Sequence, residues 1–389
     1  PEKAPCLAAG GFFLSFNPTN IHCAHAGGQQ YQYHRRLPKE NQLDISYHQV
    51  TLTKRYPLRI SRGESAGSVN LFVTVSDQNV TGLGEAAPGG LTGADTAQDC
   101  QDQISAFLKT HPQALDNPFD GWRLAHEAQV APCAWAAVDI ALWDHLARRA
   151  GQPLYRLLGL PHRAVATSVT IGILPPEVVR ERVLEVIQRT GARYLKVKLG
   201  SPEGLEADQA MYAAVKEAAR NYAVTLRVDA NGGWDLAGAQ SMMLWLKERG
   251  CDYVEQPLHH QADDQLPALF AGRALPIYID ESCNFAKDAA RLAGCIDGVN
   301  LKLMKCGGIS EALRIVATAR AHSLKTMIGC MGESSVAIGA GASLGALFDH
   351  IDLDSHLNLL PDPASGLCLD AGVVNVDAKR PGHGVTLTC

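Results

Sequence analysis

No stretch of this chain keeps together the roughly 20 apolar residues that a membrane span requires. The longest apolar runs, such as Val336–Leu347, are broken by glycine and serine, so no transmembrane segment is expected. A basic surplus is also missing. Lys and Arg number 35 against 40 Asp and Glu, a formal net charge of −5, and no arginine-rich face is interleaved with aromatics, so nucleic acid is not an expected partner. The 11 cysteines are odd in number and scattered, which argues against a disulfide framework and for a reducing, cytoplasmic location. The opening PEKAPCLAAGGFFLSF lacks the basic start, continuous apolar core and cleavage site of a signal peptide.

What is present fits a globular chain of 389 residues, 46% hydrophobic and 19% charged, long enough for a barrel and one smaller domain. Residues 1–43 are rich in Gly, Gln, His and Asn and have little periodicity. Cys6, His22, Cys23 and His25 invite a zinc reading, but the adjacent pair His22–Cys23 does not match the usual spacings, and a loosely ordered or surface-wrapping extension is expected. From Asp44 to about Ala87 the pattern alternates as antiparallel strands do. Helical periodicity follows over Thr96–Thr110 and Ala134–Arg149, with Gly151 and Pro153 ending the second run. After Leu160 the rhythm becomes strand, loop, helix, strand: ATSVTIGI, YLKVKLG, VTLRVDA, DYVEQP, PIYIDES, GVNLKLMK, KTMIGC and HIDLD. Eight such units imply a parallel α/β barrel, TIM-like, over 164–356. The expected organisation is that barrel with an α+β capping domain built from an N-terminal segment, 44–163, and a C-terminal one, 357–389.

A train of charged residues ends these apolar runs: Lys196, Lys198, Asp229, Glu255, Asp280, Lys302, Asp352 and Asp354. Strand ends of a barrel converge on one face, which carries the chemistry. Side chains alternate along a strand, so Lys196 and Lys198 point the same way, as do Asp352 and Asp354, whereas Asp280 diverges from Glu281 and Lys302 from Lys305. Glu281 and Lys305, being out of phase, read as packing or salt-bridge residues. Three carboxylates on successive strands supply hard oxygen ligands suited to octahedral Mg²⁺. Lysines before and after them suit removal of a proton from one face of a carbon and its return to the other.

The motifs KVK at 196–198, DANGGW at 229–234, EQP at 255–257, DES at 280–282 and KLMKCGG at 302–308, with DIALWDHLARRAGQPLYRLLGL at 139–160, resemble those of the enolase superfamily, in its muconate-lactonizing-enzyme subgroup. The resemblance spans about 44–389. It implies one Mg²⁺ per subunit on Asp229, Glu255 and Asp280, with Asn231 supporting the site, and Lys198 and Lys302 as the acid/base pair. Lys196 is then expected to lower the pKa of the base by like-charge repulsion. HIDLDSH resembles the DxD element with which dipeptide epimerases hold a substrate's α-ammonium group, and this assigns Asp352 and Asp354 to substrate. LRISRGES places Arg62 in what resembles a mobile specificity loop, where a guanidinium would pair with an acidic side chain. Thr170 and Glu333 are further candidates for the pocket wall.

The activity implied is an isomerase: epimerisation of a dipeptide at the α-carbon of its C-terminal residue, L-Ala-L-Glu or a relative, through an enolate that Mg²⁺ stabilises. A homo-oligomer is expected. The alternatives are a cycloisomerase, an o-succinylbenzoate synthase or an N-acylamino-acid racemase of the same subgroup, and, from another class, a non-catalytic barrel subunit. GAGASLG lacks the strand and helix context of a dinucleotide site.

Overall fold

The computed structural model describes residues 43–388, so the reading of residues 1–42, zinc included, lies outside it. Three antiparallel strands come first: β1 (Asp44–Ile60), β2 (Gly63–Ser76) and β3 (Thr81–Ala86), in that spatial order. Leu71, Val73 and Val75 of β2 join the main core, and Phe72 turns to the other face against Leu83, Val336 and Val385, as period-two alternation requires. Helices α1 (Ala97–Thr110), α2 (Pro118–Glu127), α3 (Pro132–Arg149) and the single turn α4 (Leu154–Leu157) follow. Thr96 and Asp99 cap α1 reciprocally, each side chain accepting the other's backbone N–H at 3.0 Å. Nearly all of α3 is buried. It sits so close to β3 that a Cβ on Gly82 or Gly84 would fall within about 2.1 Å of the carbonyls of Ala141 and Ala137.

The hairpin between β1 and β2 is longer than the alternation suggests. Leu58, Arg59 and Ile60 pair with Ser65, Glu64 and Gly63, so Arg62 stands with Ser61 at the tip of a paired ribbon and not in an irregular loop. The ladder breaks between Thr53 and Leu58. Pro57, which has no N–H to donate, falls in this bulge and interrupts the strand without ending it. Asn358 takes up the freed backbone of Tyr56, accepting its N–H at 3.1 Å and donating to its carbonyl at 2.8 Å.

The eight strands expected from 164 onward are all present: β4 (Ser168–Ile171), β5 (Tyr194–Lys198), β6 (Thr225–Asp229), β7 (Cys251–Glu255), β8 (Ile277–Ile279), β9 (Gly298–Lys302), β10 (Lys325–Gly329) and β11 (His350–Asp352). They pair in parallel in sequential order. A parallel bridge between Thr167 and Ile351, with Leu353 N–H donating to Thr167 Oγ1 at 2.8 Å, brings the last strand against the first. The intervening helices are α5 (Pro176–Thr190), α6 (Leu205–Ala219), α7 (Leu236–Lys247), α8 (Leu266–Ala271), α9 (Ala286–Leu292), the single turn α10 (Leu303–Cys306), α11 (Ile309–Ala321) and α12 (Ser335–Ser343). No helix among the described residues is long and apolar enough to cross a membrane.

One contact ties the cap to the barrel and another joins the two segments of the cap. Buried Glu85 of β3 receives the backbone N–H of Ser334 at 2.9 Å, its hydroxyl at 2.7 Å and the N–H of Ala337 at 3.1 Å, satisfying donors at the start of α12. The C-terminal segment folds back on β3 and α3: His383 N–H donates to Asp144 at 2.8 Å, and Arg148 donates to the carbonyl of Val385 at 2.9 Å.

Candidate active site and metal centre

The charged train converges at the C-terminal ends of the barrel strands. Lys198 on β5 and Lys302 on β9 are the second and sixth strands of eight, so the ring places them on opposite sides of its axis. Asp229 on β6, Glu255 on β7 and Asp280 just beyond β8 occupy the strands between them, and all three are buried. Asp352 ends β11, the eighth strand and the one opposite β7, and Asp354 follows two residues later. A cavity of about 380 Å³ opens over this ring, lined by Lys196, Lys198, Lys302, Asn231, Asp280, Asp352, Asp354, Thr170 and Arg62, and by an apolar wall that includes Leu58, Ile60, Val169, Ile171, Met331 and Leu357.

One oxygen from each of Asp229, Glu255 and Asp280 can be chosen so that all three lie within 4.8 Å of one another. Buried carboxylate oxygens normally accept hydrogen bonds, yet Glu255 Oε2 and Asp280 Oδ1 accept none, although an ammonium lies close to each. Three hard anionic donors converging on one point, with unused lone pairs, fit a divalent cation of the Mg²⁺ type. Asn231 supports the cradle from the side, its backbone N–H donating to Asp229 Oδ1 at 2.8 Å and its amide to Asp229 Oδ2 at 3.3 Å.

Lysine ammonium groups balance this negative charge. Lys198 lies 2.5 Å from Asp229 and Lys302 2.8 Å from Asp280. Lys196, fully buried, lies 2.6 Å from Asp352, 2.8 Å from Glu255 and 3.1 Å from Asp229. Burial works against its charge, but the three carboxylates outweigh burial and hold its pKa well above the usual lysine value. For Lys302, too, burial is the largest influence and opposes the charge, but Asp280, Glu255 and Glu281 together raise the pKa above the usual lysine value; Lys196 contributes a smaller lowering influence. The repulsion expected of Lys196 is therefore felt at Lys302, but the carboxylates dominate. Burial and the charge of Asp229 push Glu255 up to about 8, and burial with neighbouring Asp352 pushes Asp354 up to about 6.

The remaining candidates separate. Thr170 lines the cavity and donates its backbone N–H to Asp354 Oδ2 at 2.6 Å, fixing that carboxylate. Asp352 Oδ1 is buried without a hydrogen-bond partner. Glu333 is not among the cavity-lining residues: its carboxyl turns back into its own loop to accept Met331 N–H at 2.7 Å, and burial raises its pKa to about 8. Arg62 reaches the cavity but donates to Glu281 at 2.7 Å and to the carbonyl of Asn231 at 2.9 Å.

Glu281 and Lys305 make the salt bridges expected of them, but at the site itself. Lys305 lies 2.7 Å from Asp280 because the chain turns helical at Leu303, and three residues along a helix return to the same side. β8 ends at Ile279, so strand alternation no longer separates Asp280 from Glu281. Asn300, which the sequence reading passed over, donates to Glu255 Oε1 at 2.8 Å. It lies two residues before Lys302 on β9, and the alternation rule applied once more finds it.

Two family models cover the chain: the mandelate racemase / muconate lactonizing enzyme N-terminal domain over residues 43–159, and the enolase C-terminal domain-like family over 178–388. The chain belongs to the enolase superfamily. Among its relatives, a hydrophobic dipeptide epimerase of Roseobacter litoralis is 60% identical over 346 residues, covering 89% of this chain and 99% of that protein. A hydrophobic dipeptide epimerase of a Flavobacteria bacterium is 51% identical, covering 89% and 98%. The dipeptide epimerase of Enterococcus faecalis V583, solved with Mg and the dipeptide L-Leu-L-Tyr, matches with a TM-score of 0.80 at 32% identity over 88% of this chain and 98% of that one. Within the superfamily the chain is an isomerase of the racemase and epimerase kind.

Proposed function

We propose that this chain is a Mg²⁺-dependent epimerase of dipeptides whose C-terminal residue is hydrophobic, acting at that residue's α-carbon. The observation that carries the reading is the layout of the ring. Carboxylates for a metal stand on one side, a carboxylate pair for a cation on the opposite side, and one lysine stands on each flank between them. A zwitterionic dipeptide matches that layout end to end. Its carboxylate lies toward Asp229, Glu255 and Asp280, its α-ammonium toward Asp352 and Asp354, and the α-carbon to be inverted falls between Lys198 and Lys302. Asp352 Oδ1, buried and without a partner, is the acceptor that an ammonium would satisfy.

In this reading one lysine, in its neutral form, takes the α-proton and the other delivers a proton to the opposite face. Held by Asp229, Glu255 and Asp280, Mg²⁺ would supply the positive charge that stabilises the substrate carboxylate as the α-proton leaves. A hydrophobic C-terminal residue is favoured over the glutamate first expected because the guanidinium that would read an acidic side chain, that of Arg62, is engaged by Glu281, and Leu58, Ile60 and Ile171 stand in the cavity wall. The names of the Roseobacter and Flavobacteria relatives agree.

The test compares free L-Ala-L-Leu with its N-acetylated form in wild type, Asp352→Asn and Asp354→Asn. A charged hydrogen-bonded pair contributes about 1.5–3 kcal/mol, so each substitution should weaken the free dipeptide by roughly 10–150-fold. Equal turnover of the acetylated compound by wild type would make the chain an N-acylamino-acid racemase instead.

A further inference from the structure

The carboxylate of Glu281 is buried at the edge of the metal cradle, yet the proton transfers above give it no task. Its Oε1 accepts from Arg62 at 2.7 Å and from the side-chain amide of Asn231 at 3.2 Å, and its Oε2 accepts nothing. The same Arg62 nitrogen donates to the carbonyl of Asn231 at 2.9 Å, and Ser61 Oγ donates to that carbonyl at 3.2 Å. Asn231 holds a left-handed backbone, φ 45°, a conformation that asparagine adopts more readily than most non-glycine residues. Both residues of the hairpin tip are thus fastened to the loop after β6, and Arg62 also to the residue after Asp280. On the other side of the barrel mouth, Ile173 N–H donates to the carbonyl of Arg59 at 2.8 Å, so the ribbon spans the opening.

What the ribbon carries across is apolar. Leu58 and Ile60 lie in the paired segment just before the tip and line the cavity, with Tyr56 and Pro57 behind them in the bulge. We infer that Glu281 is a positioning residue: through Arg62 it latches the hairpin tip over the barrel mouth and so holds the wall of Leu58 and Ile60 against the substrate's side chain. Arg62 on this account fastens the ribbon and does not read the substrate. The role in substrate positioning rests on the hydrophobic-dipeptide reading, whereas the latch itself does not.

The experiment has two arms, both at saturating Mg²⁺, with Glu281→Gln, Arg62→Met, Arg62→Lys and the double variant Arg62→Met/Glu281→Gln. Hydrogen–deuterium exchange of the substrate-free protein reads the latch directly. Amides between Leu58 and Ser65 should exchange at least about tenfold faster in Arg62→Met and Glu281→Gln, Arg62→Lys should retain part of the protection, and the double variant should be no worse than Arg62→Met alone, because Arg62→Met already removes the contact to Glu281.

Steady-state kinetics read the consequence: KM for L-Ala-L-Leu rises about tenfold with kcat changed much less, and the preference for L-Ala-L-Leu over L-Ala-L-Glu stays within about threefold in Arg62→Met. Wild-type protection in both single variants overturns the latch whatever the substrate proves to be. A selective loss of L-Ala-L-Glu turnover in Arg62→Met overturns it too, since Arg62 would then be reading an acidic side chain. Faster exchange in a protein that never accepts a hydrophobic dipeptide would leave the latch standing and reject the proposed substrate class.

Discussion

Lys196→Met keeps the length of the buried side chain and removes its charge, which isolates the ammonium at the centre of the site. The structure says where the loss falls. Asp229 keeps Lys198 at 2.5 Å and the Asn231 N–H at 2.8 Å, and Glu255 keeps the Asn300 amide at 2.8 Å. Asp352 loses the ammonium its Oδ2 accepts from at 2.6 Å, while its Oδ1 already has no partner. Breaking a buried ionic contact by removing one partner costs about 3–5 kcal/mol. At about 2 °C per kcal/mol for a chain of this size, the metal-free variant should melt about 6–10 °C below wild type. A control is Arg220→Ala, which removes the exposed partner of Glu217; such pairs contribute at most about 1 kcal/mol, so its melting temperature should move by no more than about 2 °C. Thermal unfolding in EDTA measures both. Titrating Mg²⁺ back should raise the melting temperature of Lys196→Met by more than that of wild type, because one ammonium fewer then competes with the cation for Asp229 and Glu255. A variant that melts with wild type in EDTA would refute the reasoning.

The two lysines and the metal give the remaining expectations. Lys198→Ala and Lys302→Ala should each abolish epimerisation, yet in D₂O each should still exchange the α-proton of one epimer, the one facing the surviving lysine; exchange of both epimers by either variant would dismiss the two-sided assignment. Calorimetric titration should find one Mg²⁺ per chain, lost in Asp229→Asn, Glu255→Gln or Asp280→Asn, and EDTA should abolish turnover that Mg²⁺ restores; undiminished Mg²⁺ binding in all three variants would place the metal elsewhere.

Local chemistry explains why so much of the barrel was legible. Each buried strand is a short apolar run ending in a charge, and the pattern survives in the sequence because strand, helix and turn each need only near neighbours: YLKVKLG ends at Lys198, LRVDANG at Asp229, YVEQP at Glu255. Alternation then predicts faces correctly wherever a strand continues, as for Lys196 with Lys198 and, once applied, Asn300 with Lys302. It fails where the strand stops. β8 ends one residue before Asp280, and the chain turns helical at Leu303, so Glu281 and Lys305 are brought back to a site from which alternation would exclude them.

Sequence by itself determined the order of strands and helices, the carboxylate triad and the two lysines, because these are set by the residue types at the ends of local elements. Tertiary structure alone decided which charge meets which. Closing eight strands into a ring puts β5 opposite β9 and β7 opposite β11, and so sets Lys198 across from Lys302 and the metal cradle across from Asp352. It also carried Arg62 across the mouth of the barrel to Glu281, 219 residues away along the chain, and turned Glu333 back into its own loop. Pairings of that kind follow from the closure of the barrel and the path of the hairpin over it, and no window of neighbouring residues contains them.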